Sequence, residues 1–463
     1  MIIQPGNKNA ISPAFSKNIE PLVIPEKKHP IRMKDIDKEA LKILFRLRDA
    51  GFSGYLVGGG VRDLYTGKQP KDFDISTDAR PGQLRKLFRN SRTIGKRFRL
   101  VQVFFRGGKI IEVSTLRSQS EYDINGVEQV LPSNNTFGTP AEDAFRRDLT
   151  INSLFYEIEH NTIIDYVGGV QDLDQGIIRI VGDPERRVKR DPVRIMRAVR
   201  HAARNNFVIE ENTWNALVNN SSNLNLCPSS RIRDELLKDL SSGASEPWAR
   251  IALESKLFFV LFPFYKNIIP ANGENAAGKL LFSLLHVLDR LYTNTDENKR
   301  MELPDYFLLA VLLMPLIDNR YNITAEPVKG PAHYRLSRKI RSSLDDILDE
   351  RYNLKRMGKE TMTSIFVNLA TFEQFSQKKS WPKWLRRKSY FQDCYRFYRL
   401  VTEARGGPQA DAGLFRLKGP VERQEAAVFH GRQDYTNSGA RGRKGTRPAF
   451  TDQKKGVFGL RGR

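Results

Sequence analysis

The sequence predicts an α+β protein: a small mixed sheet with helices near the front, then a long and almost wholly helical stretch. Three observations predict it. Strand-length runs at 54–57, 73–76, 99–105, 109–115 and 162–167 are bounded by glycine or turn residues. From about residue 210 to 400 apolar residues recur at helical spacing. After residue 405 the composition shifts, with nine Lys or Arg against two Asp between 431 and 463 and frequent glycine. Such a segment cannot bury a core and reads as a disordered basic tail.

In chain order, residues 1–32 scatter Pro, Asn and Lys and read as an extended arm. A helix follows. Asp35 can cap it, Ile36, Ala40, Ile43, Leu44 and Leu47 recur at helical spacing, and Gly51 ends it. Residues 54–57 form a strand, and 61–65 open a helix directly after Gly58-Gly59-Gly60. A strand at 73–76 and a helix at 81–88 come next. Residues 99–105 and 109–115 suit a hairpin closed by a two-residue Gly107-Gly108 turn. The polar stretch 118–142 reads as a long loop. Residues 141–157 read as one amphipathic helix with Ala144, Ile151, Leu154 and Phe155 inward. Strands follow at 162–167 and 177–181. Asp191 is placed to cap the next helix, with Pro192 as its first residue. There Arg194, Arg197, His201 and Arg204 line one face without acidic neighbours, while Met196, Val199 and Ala203 line the other. Helices are expected at 230–240, 278–291, 304–316 and 334–348. The apolar run 306–317 is too short to span a bilayer and reads as a buried core helix.

The chain has 463 residues, 76 basic and 53 acidic, for a net charge of +23. That excess favours a polyanionic partner, and nucleic acid over a membrane, because no basic amphipathic helix stands apart from the globular pattern. Cys227 and Cys394 have no second pair for a zinc site and read as reduced packing residues of a cytosolic protein. No signal peptide is indicated.

The chemistry concentrates in Lys71-Asp72-Phe73-Asp74. On a strand, positions i and i+2 share a face, so Asp72 and Asp74 aim at one point while Phe73 enters the core. Glu112, on the second hairpin arm with Ile110 and Ser114, is the candidate third carboxylate. The glycines at 58–60 can hold phosphates by backbone N–H groups. Together these point to Mg²⁺-dependent phosphoryl chemistry on a nucleotide. An Asp-x-Asp alone also suits an ordinary turn, and Glu112 alone an exposed strand. Residues 381–391 interleave aromatics with Lys383, Arg386 and Arg387 and could stack RNA bases. Half core and half solvated face is the plainer reading of that stretch.

The ordered runs Gly58-Gly59-Gly60-Val61-Arg62-Asp63, Asp72-x-Asp74, Arg146-Arg147-Asp148-Leu149-Thr150-Ile151-Asn152, Asp165-Tyr166-Val167-Gly168-Gly169 and Arg190-Asp191-Pro192-Val193-Arg194-Ile195-Met196-Arg197-Ala198 resemble the class II nucleotidyltransferases of the polymerase-beta-like superfamily. That group holds bacterial poly(A) polymerases and tRNA CCA-adding enzymes. The motifs cover about residues 55–205. Ile94-Gly95-Lys96-Arg97-Phe98-Arg99-Leu100-Val101 looks like the poly(A) polymerase signature, and the basic tail fits the same branch.

The resemblance implies a catalytic nucleotidyltransferase head at 33–165, a neck with a nucleotide-recognition helix at 166–215, a helical RNA-binding body at 216–404 and a tail at 405–463. It implies template-independent addition of AMP from ATP to RNA 3′ ends, with CCA addition to tRNA as the alternative and a nonenzymatic RNA-binding scaffold as a third reading. Asp72 and Asp74 would hold Mg²⁺, with Asp148 and Glu112 completing the catalytic set. Gly59 and Arg62 would contact the triphosphate, and Arg147, Asp191, Arg194 and Arg197 would recognise the nucleotide. Lys96, Arg97 and Arg99 would meet RNA. The implied partners are RNA 3′ ends, ATP and RNA-decay or RNA-chaperone proteins, with no membrane, in the cytoplasm. Two departures stand out: Arg190 replaces a common glutamate, and His201 a common phenylalanine.

Overall fold

The computed structural model describes residues 20–95, 99–118, 137–293, 301–348, 352–378 and 380–416. The head is built on one sheet with strand order β1-β8-β7-β2-β3-β6-β5-β4. Its strands are β1 Leu22–Ile24, β2 Gly54–Val57, β3 Asp74–Thr77, β4 Ser91–Ile94, β5 Leu100–Phe104, β6 Ile110–Thr115, β7 Phe155–Glu157 and β8 Thr162–Asp165. All neighbours are antiparallel except β3 and β6, which run parallel and set Asp74 opposite Glu112. Helices α1 Lys38–Asp49, α2 Gly59–Tyr65, α3 Pro81–Leu87 and α4 Pro140–Arg146 accompany the sheet. A small parallel pair, β9 Ile177–Ile178 with β10 Val208–Ile209, lies beyond it.

Four helices follow the sheet, α5 Gly169–Gln175, α6 Pro184–Arg190, α7 Val193–Asn205 and α8 Glu211–Asn220, the last of which runs across the boundary expected at 215. The body follows with α9 Ser229–Leu240, α10 Ser245–Glu254, α11 Leu257–Leu261, α12 Ala276–Thr293, α13 Asp305–Tyr321, α14 Gly330–Ile347, α15 Arg356–Gln377, α16 Lys383–Arg386 and α17 Phe391–Ala404. Every residue of α13 from Phe307 to Ile317 is buried, Pro315 included, which makes it the central helix of the body. Phe307 and Phe366 meet Phe397 edge-on at 5.7 and 5.8 Å. No helix among the described residues is long and apolar enough to cross a membrane.

Several local expectations are corrected. The first helix is capped by Asp37, not Asp35: Asp37 Oδ1 accepts from the N–H groups of Glu39 and Ala40. Part of the expected arm is an edge strand, because β1 pairs with β8. The hairpin loop has three residues, Arg106–Gly108, with both glycines at φ 79°. The polar edge strand β4 carried no apolar alternation and was not expected.

The largest correction is at 141–157. The helix stops at Arg146, a 3₁₀ turn takes Thr150–Asn152, and Phe155–Glu157 joins the sheet beside β2. Ile151, Leu154 and Phe155 fit a helical stripe, but pairing with β2 buries Phe155 and Tyr156 completely, and that tertiary gain overrides local periodicity. Asp191 does not cap α7 with its side chain. It ends α6, and only its backbone carbonyl accepts from Arg194 N–H, at 3.1 Å.

Candidate active site

The sheet builds the first half of the site. Asp74 opens β3, paired with Val57 on one side and Glu112 on the other. Asp72 lies two residues earlier, ahead of the strand rather than on it, with Phe73 between them in the core. Both aspartates are exposed. Asp74 nevertheless stands in a crowded concavity. Desolvation first, then the Glu112 carboxylate and more weakly Asp72, push its carboxyl up to about 6 against the pull of Arg147. Glu112 is partly buried and accepts from Gln102 Nε2 at 3.0 Å. The three carboxylates do not close to within 4.8 Å of one another. The group that does, among the described residues, is Glu157, Glu159 and His160 at the β7–β8 hairpin. An open pair of hard oxygen donors still fits Mg²⁺, which keeps several waters and takes one or two protein carboxylates.

The glycine turn abuts this pair. Gly58 has φ 70°, a conformation glycine adopts without strain. A Cβ there would stand 3.5 Å from Arg147 Nη1 and 3.9 Å from Asp74 Oδ2, so turn, guanidinium and carboxylate share one corner. Gly60 brings α2 close to the chain: a Cβ would lie 3.4 Å from the Asp72 carbonyl oxygen. Arg147 donates to Asp143 Oδ2 from Nε and Nη2 at 3.1 and 2.8 Å, and covers the Phe155 ring at 5.4 Å.

Arg62 does not reach the open cleft. It is 2% exposed and lies behind Gly59, its Nη2 3.5 Å from where a Gly59 Cβ would stand. Its guanidinium donates to Asp63 Oδ1 at 2.9 and 2.7 Å and to Asn152 Oδ1 at 2.6 Å, and meets His201 Nδ1 at 3.2 Å. Burial beside Arg62, Arg200 and Arg204 holds the His201 imidazole well below its usual pKa, so it is neutral.

The second half is an arginine pocket between the segment after α4, helix α7 and helix α9. Asp148 lies beyond α4 and pairs with Arg194, whose Nε is 3.3 Å from Oδ1, and with Arg197 through a short contact at Oδ2. Although burial disfavours its charge, Arg194 and Arg197 hold the Asp148 carboxyl down at about 2. The resemblance implied Asp148 in the catalytic set. Its carboxylate is committed to these two arginines.

The α7 face expected to lack acids is laced with them. Arg197 also reaches Glu235 at 3.4 Å, Arg200 pairs with Glu235 and, at 2.8 Å, with Asp239, and Arg204 approaches Asp63 at 3.4 Å. Asp191 turns to Arg231, with 3.0 Å between Oδ1 and Nη2, and lies 3.9 Å from Arg194 Nε. Amid these contacts Arg194 Nη1 is buried without a hydrogen-bond partner. The partners missed in the sequence are Arg231, Glu235 and Asp239. Their spacing of four along one helix was the available signal.

Of the expected RNA contacts, Lys96 and Arg97 lie outside the described residues, as does the expected tail beyond residue 416; its first part, 405–416, is ordered instead, with Ala410 and Phe415 buried against the body. Arg99 is exposed and lines a cavity of about 170 Å³ with Pro81, Gly82, Thr115, Arg117 and Phe137. Lys383, Arg386 and Arg387 are exposed around the buried Leu385.

Comparison with known proteins adds the following. A family model described as "Poly A polymerase head domain" matches residues 54–179. Another, described as "Probable RNA and SrmB- binding site of polymerase A", matches residues 206–269. The chain is 42% identical over 338 residues to the poly(A) polymerase I of Salmonella typhi, covering 71% of this chain and 70% of that one. It is 40% identical over 335 residues to the poly(A) polymerase I of Escherichia coli O157:H7, with the same coverage. A CCA-adding enzyme of Bacillus subtilis is 35% identical over 234 residues, 50% of this chain and 57% of that one. Among solved structures, the Bacillus stearothermophilus CCA-adding enzyme in complex with CTP shares the fold, with TM-score 0.58 and 23% identity over 84% of this chain and 82% of that one.

Proposed function

The chain belongs to the poly(A) polymerase I family of nucleotidyltransferases, and from that premise we infer that it adds AMP from ATP to RNA 3′ ends without a template. The observation that carries the site assignment is the exposed pair Asp72 and Asp74, crowded by Glu112 and set against the glycine turn. Asp72 and Asp74 would hold Mg²⁺, which when bound lowers the pKa of the attacking ribose hydroxyl and offsets charge on the leaving diphosphate.

The remaining work falls to the protein's own side chains. Glu112, fixed by Gln102, adds negative charge that keeps the cation at Asp74. Arg147, braced by Asp143, stands where phosphate oxygens would pass the Gly58 corner. Gly59 offers backbone to the triphosphate, while Arg62 supports that turn from behind. Asp191 and Arg194 present an acceptor and a donor for a base edge. The unpartnered Arg194 Nη1 is a donor awaiting an acceptor. Asp148 and Arg197 hold Arg194 in place. Protein side chains in this pocket can thus choose the nucleotide in the absence of a template strand.

Arg99, Lys383, Arg386 and Arg387 serve as phosphate contacts for RNA in this reading. RNA-decay or RNA-chaperone proteins are its natural partners and the cytoplasm its setting, consistent with two free cysteines. The test is extension of an unstructured RNA and of a trimmed tRNA with each of ATP, CTP, GTP and UTP. Long ATP-dependent tails on the unstructured RNA are expected. CTP use with a halt after a few residues on the tRNA would instead assign CCA addition.

A further inference from the structure

One surface of the body extends beyond the phosphate contacts assigned to Lys383 and Arg386 and lies outside the stretches matched by the two family models. Helices α14 and α15 pack antiparallel: His333 Nε2 lies 3.4 Å from Asn368 Oδ1 near one end, and Lys359 Nζ is 3.0 Å from Asp345 near the other. The inner face of α14 buries Ile340, Ser343, Leu344 and Ile347. Its outer face presents Tyr334, 65% exposed, beside exposed Arg335, Arg338 and Lys339. At 100° per residue these four occupy a sector opposite the buried one.

Along α15, Asn368 and Phe375 are two turns apart on one stripe, about 10 Å. Asn368 seats the start of α14. Phe375 seats α16, with Trp384 edge-on at 6.2 Å and Lys378 Nζ 6.0 Å over the ring. Trp384 is itself 54% exposed and flanked by exposed Lys383 and Arg386. The start of α14, which carries Tyr334, and α16, which carries Trp384, thus pack two turns apart on α15, and each exposed ring has cations beside it in the sequence. Among the described residues none of Arg335, Arg338, Lys339, Lys383 and Arg386 has a carboxylate at ion-pair distance. The exposed Glu373 lies well round α15 from the stripe, and the acids of α14, Asp345 and Asp346, sit at its other end.

We propose that the outer face of α14, together with α16 across the end of α15, is a docking surface for single-stranded RNA upstream of the 3′ end being extended. This rests on the polymerase reading. Unpaired cations recognise consecutive phosphates, and exposed rings of Tyr334 and Trp384 stack bases without regard to sequence, which a homopolymer tail requires. An acidic protein would be attracted by the charges but gives no reason for two exposed rings.

The test uses the full chain. A labelled oligonucleotide of about twenty adenosines is titrated, without ATP, at several salt concentrations against wild type, Tyr334→Ala/Trp384→Ala and Arg335→Glu/Arg338→Glu. The aromatic pair should weaken binding about tenfold or more, and Trp384→Phe, which keeps a ring on Phe375, should restore most of its share. The arginine pair should make the log–log salt dependence shallower by about 1.4, at about 0.7 per single-strand phosphate contact. Preference for the long oligonucleotide over a primer of about six residues, measured as the kcat/KM ratio, should fall about tenfold. Unchanged affinity and salt slope in both double variants would overturn the surface while leaving the polymerase intact. Failure of wild type to add AMP to either primer would sink the polymerase reading, and the ATP-free titrations would still judge the surface.

Discussion

Two aspartates of the same site are driven in opposite directions. Asp74 is pushed up to about 6 by desolvation and by Glu112, while Asp148 is held at about 2 by Arg194 and Arg197. The first belongs to an acidic cluster short of positive charge, the second to a pocket in which nearly every charge has its counterpart. The contrast teaches what each half requires. Crowded carboxylates would be stabilised by an arriving cation, so in the proposed function the metal end would assemble with its substrate. The arginine pocket is paired beforehand, with Arg194 Nη1 among the buried atoms left without a hydrogen-bond partner, and in the proposed function it would work as a fixed template.

The sharpest way to break this contrast is Asp74→Asn. Extension should fall by about 10³-fold or more, while the metal-free protein melts at the same or a higher temperature because a disfavoured charge has gone. A lower melting temperature would show that Asp74 is paired after all. Asp148→Asn should do the reverse to stability. Two arginines lose their counter-charge, and denaturant unfolding should report a loss of about 2–3 kcal/mol, discounted for the partial exposure of Arg197. Arg194→Lys keeps the charge but loses the planar donor set, so discrimination of ATP from CTP should fall about tenfold with kcat for ATP less affected. A competition assay reads it directly.

The two ends should also differ in pH dependence. Asp74 has its folded pKa raised from 3.8 to about 6. In the metal-free protein its contribution to stability is fully present below pH 3.8 and is lost as pH rises through 6. Mg²⁺ competes with that proton, so its apparent affinity should drop about tenfold per pH unit below 6. Asp148 has its folded pKa lowered from 3.8 to about 2. Its stability is present above pH 3.8 and is lost as pH falls through 2. Calorimetric Mg²⁺ titration and acid melts separate the two slopes.

The carboxylate cluster was largely legible in the sequence. Asp72, Asp74, Glu112 and the glycines are local features, and strand alternation carries Phe73 to the core between the two carboxylates. Even so, Asp72 precedes the strand, and the parallel β3–β6 pairing that sets Glu112 opposite Asp74 joins segments nearly forty residues apart. The arginine pocket was half legible. Arg194 and Arg197 could be placed on one helix face, but their acids come from Asp148 and from α9, and no spacing along α7 announces either. Arg62 shows the same limit: the motif gives its identity, whereas Asp63, Asn152 and His201 decide where it points.

From the sequence alone came the residue types of the chemistry, the helical body and the basic balance, because hydrophobic periodicity and glycine placement are written in neighbouring positions. Only the tertiary structure decided which charges meet, that 141–157 breaks to feed the sheet, and that the helices carrying Tyr334 and Trp384 both pack on α15. Those outcomes depend on burial and pairing between distant segments, and the energy of a charge is set by whatever the fold brings within a few ångströms of it.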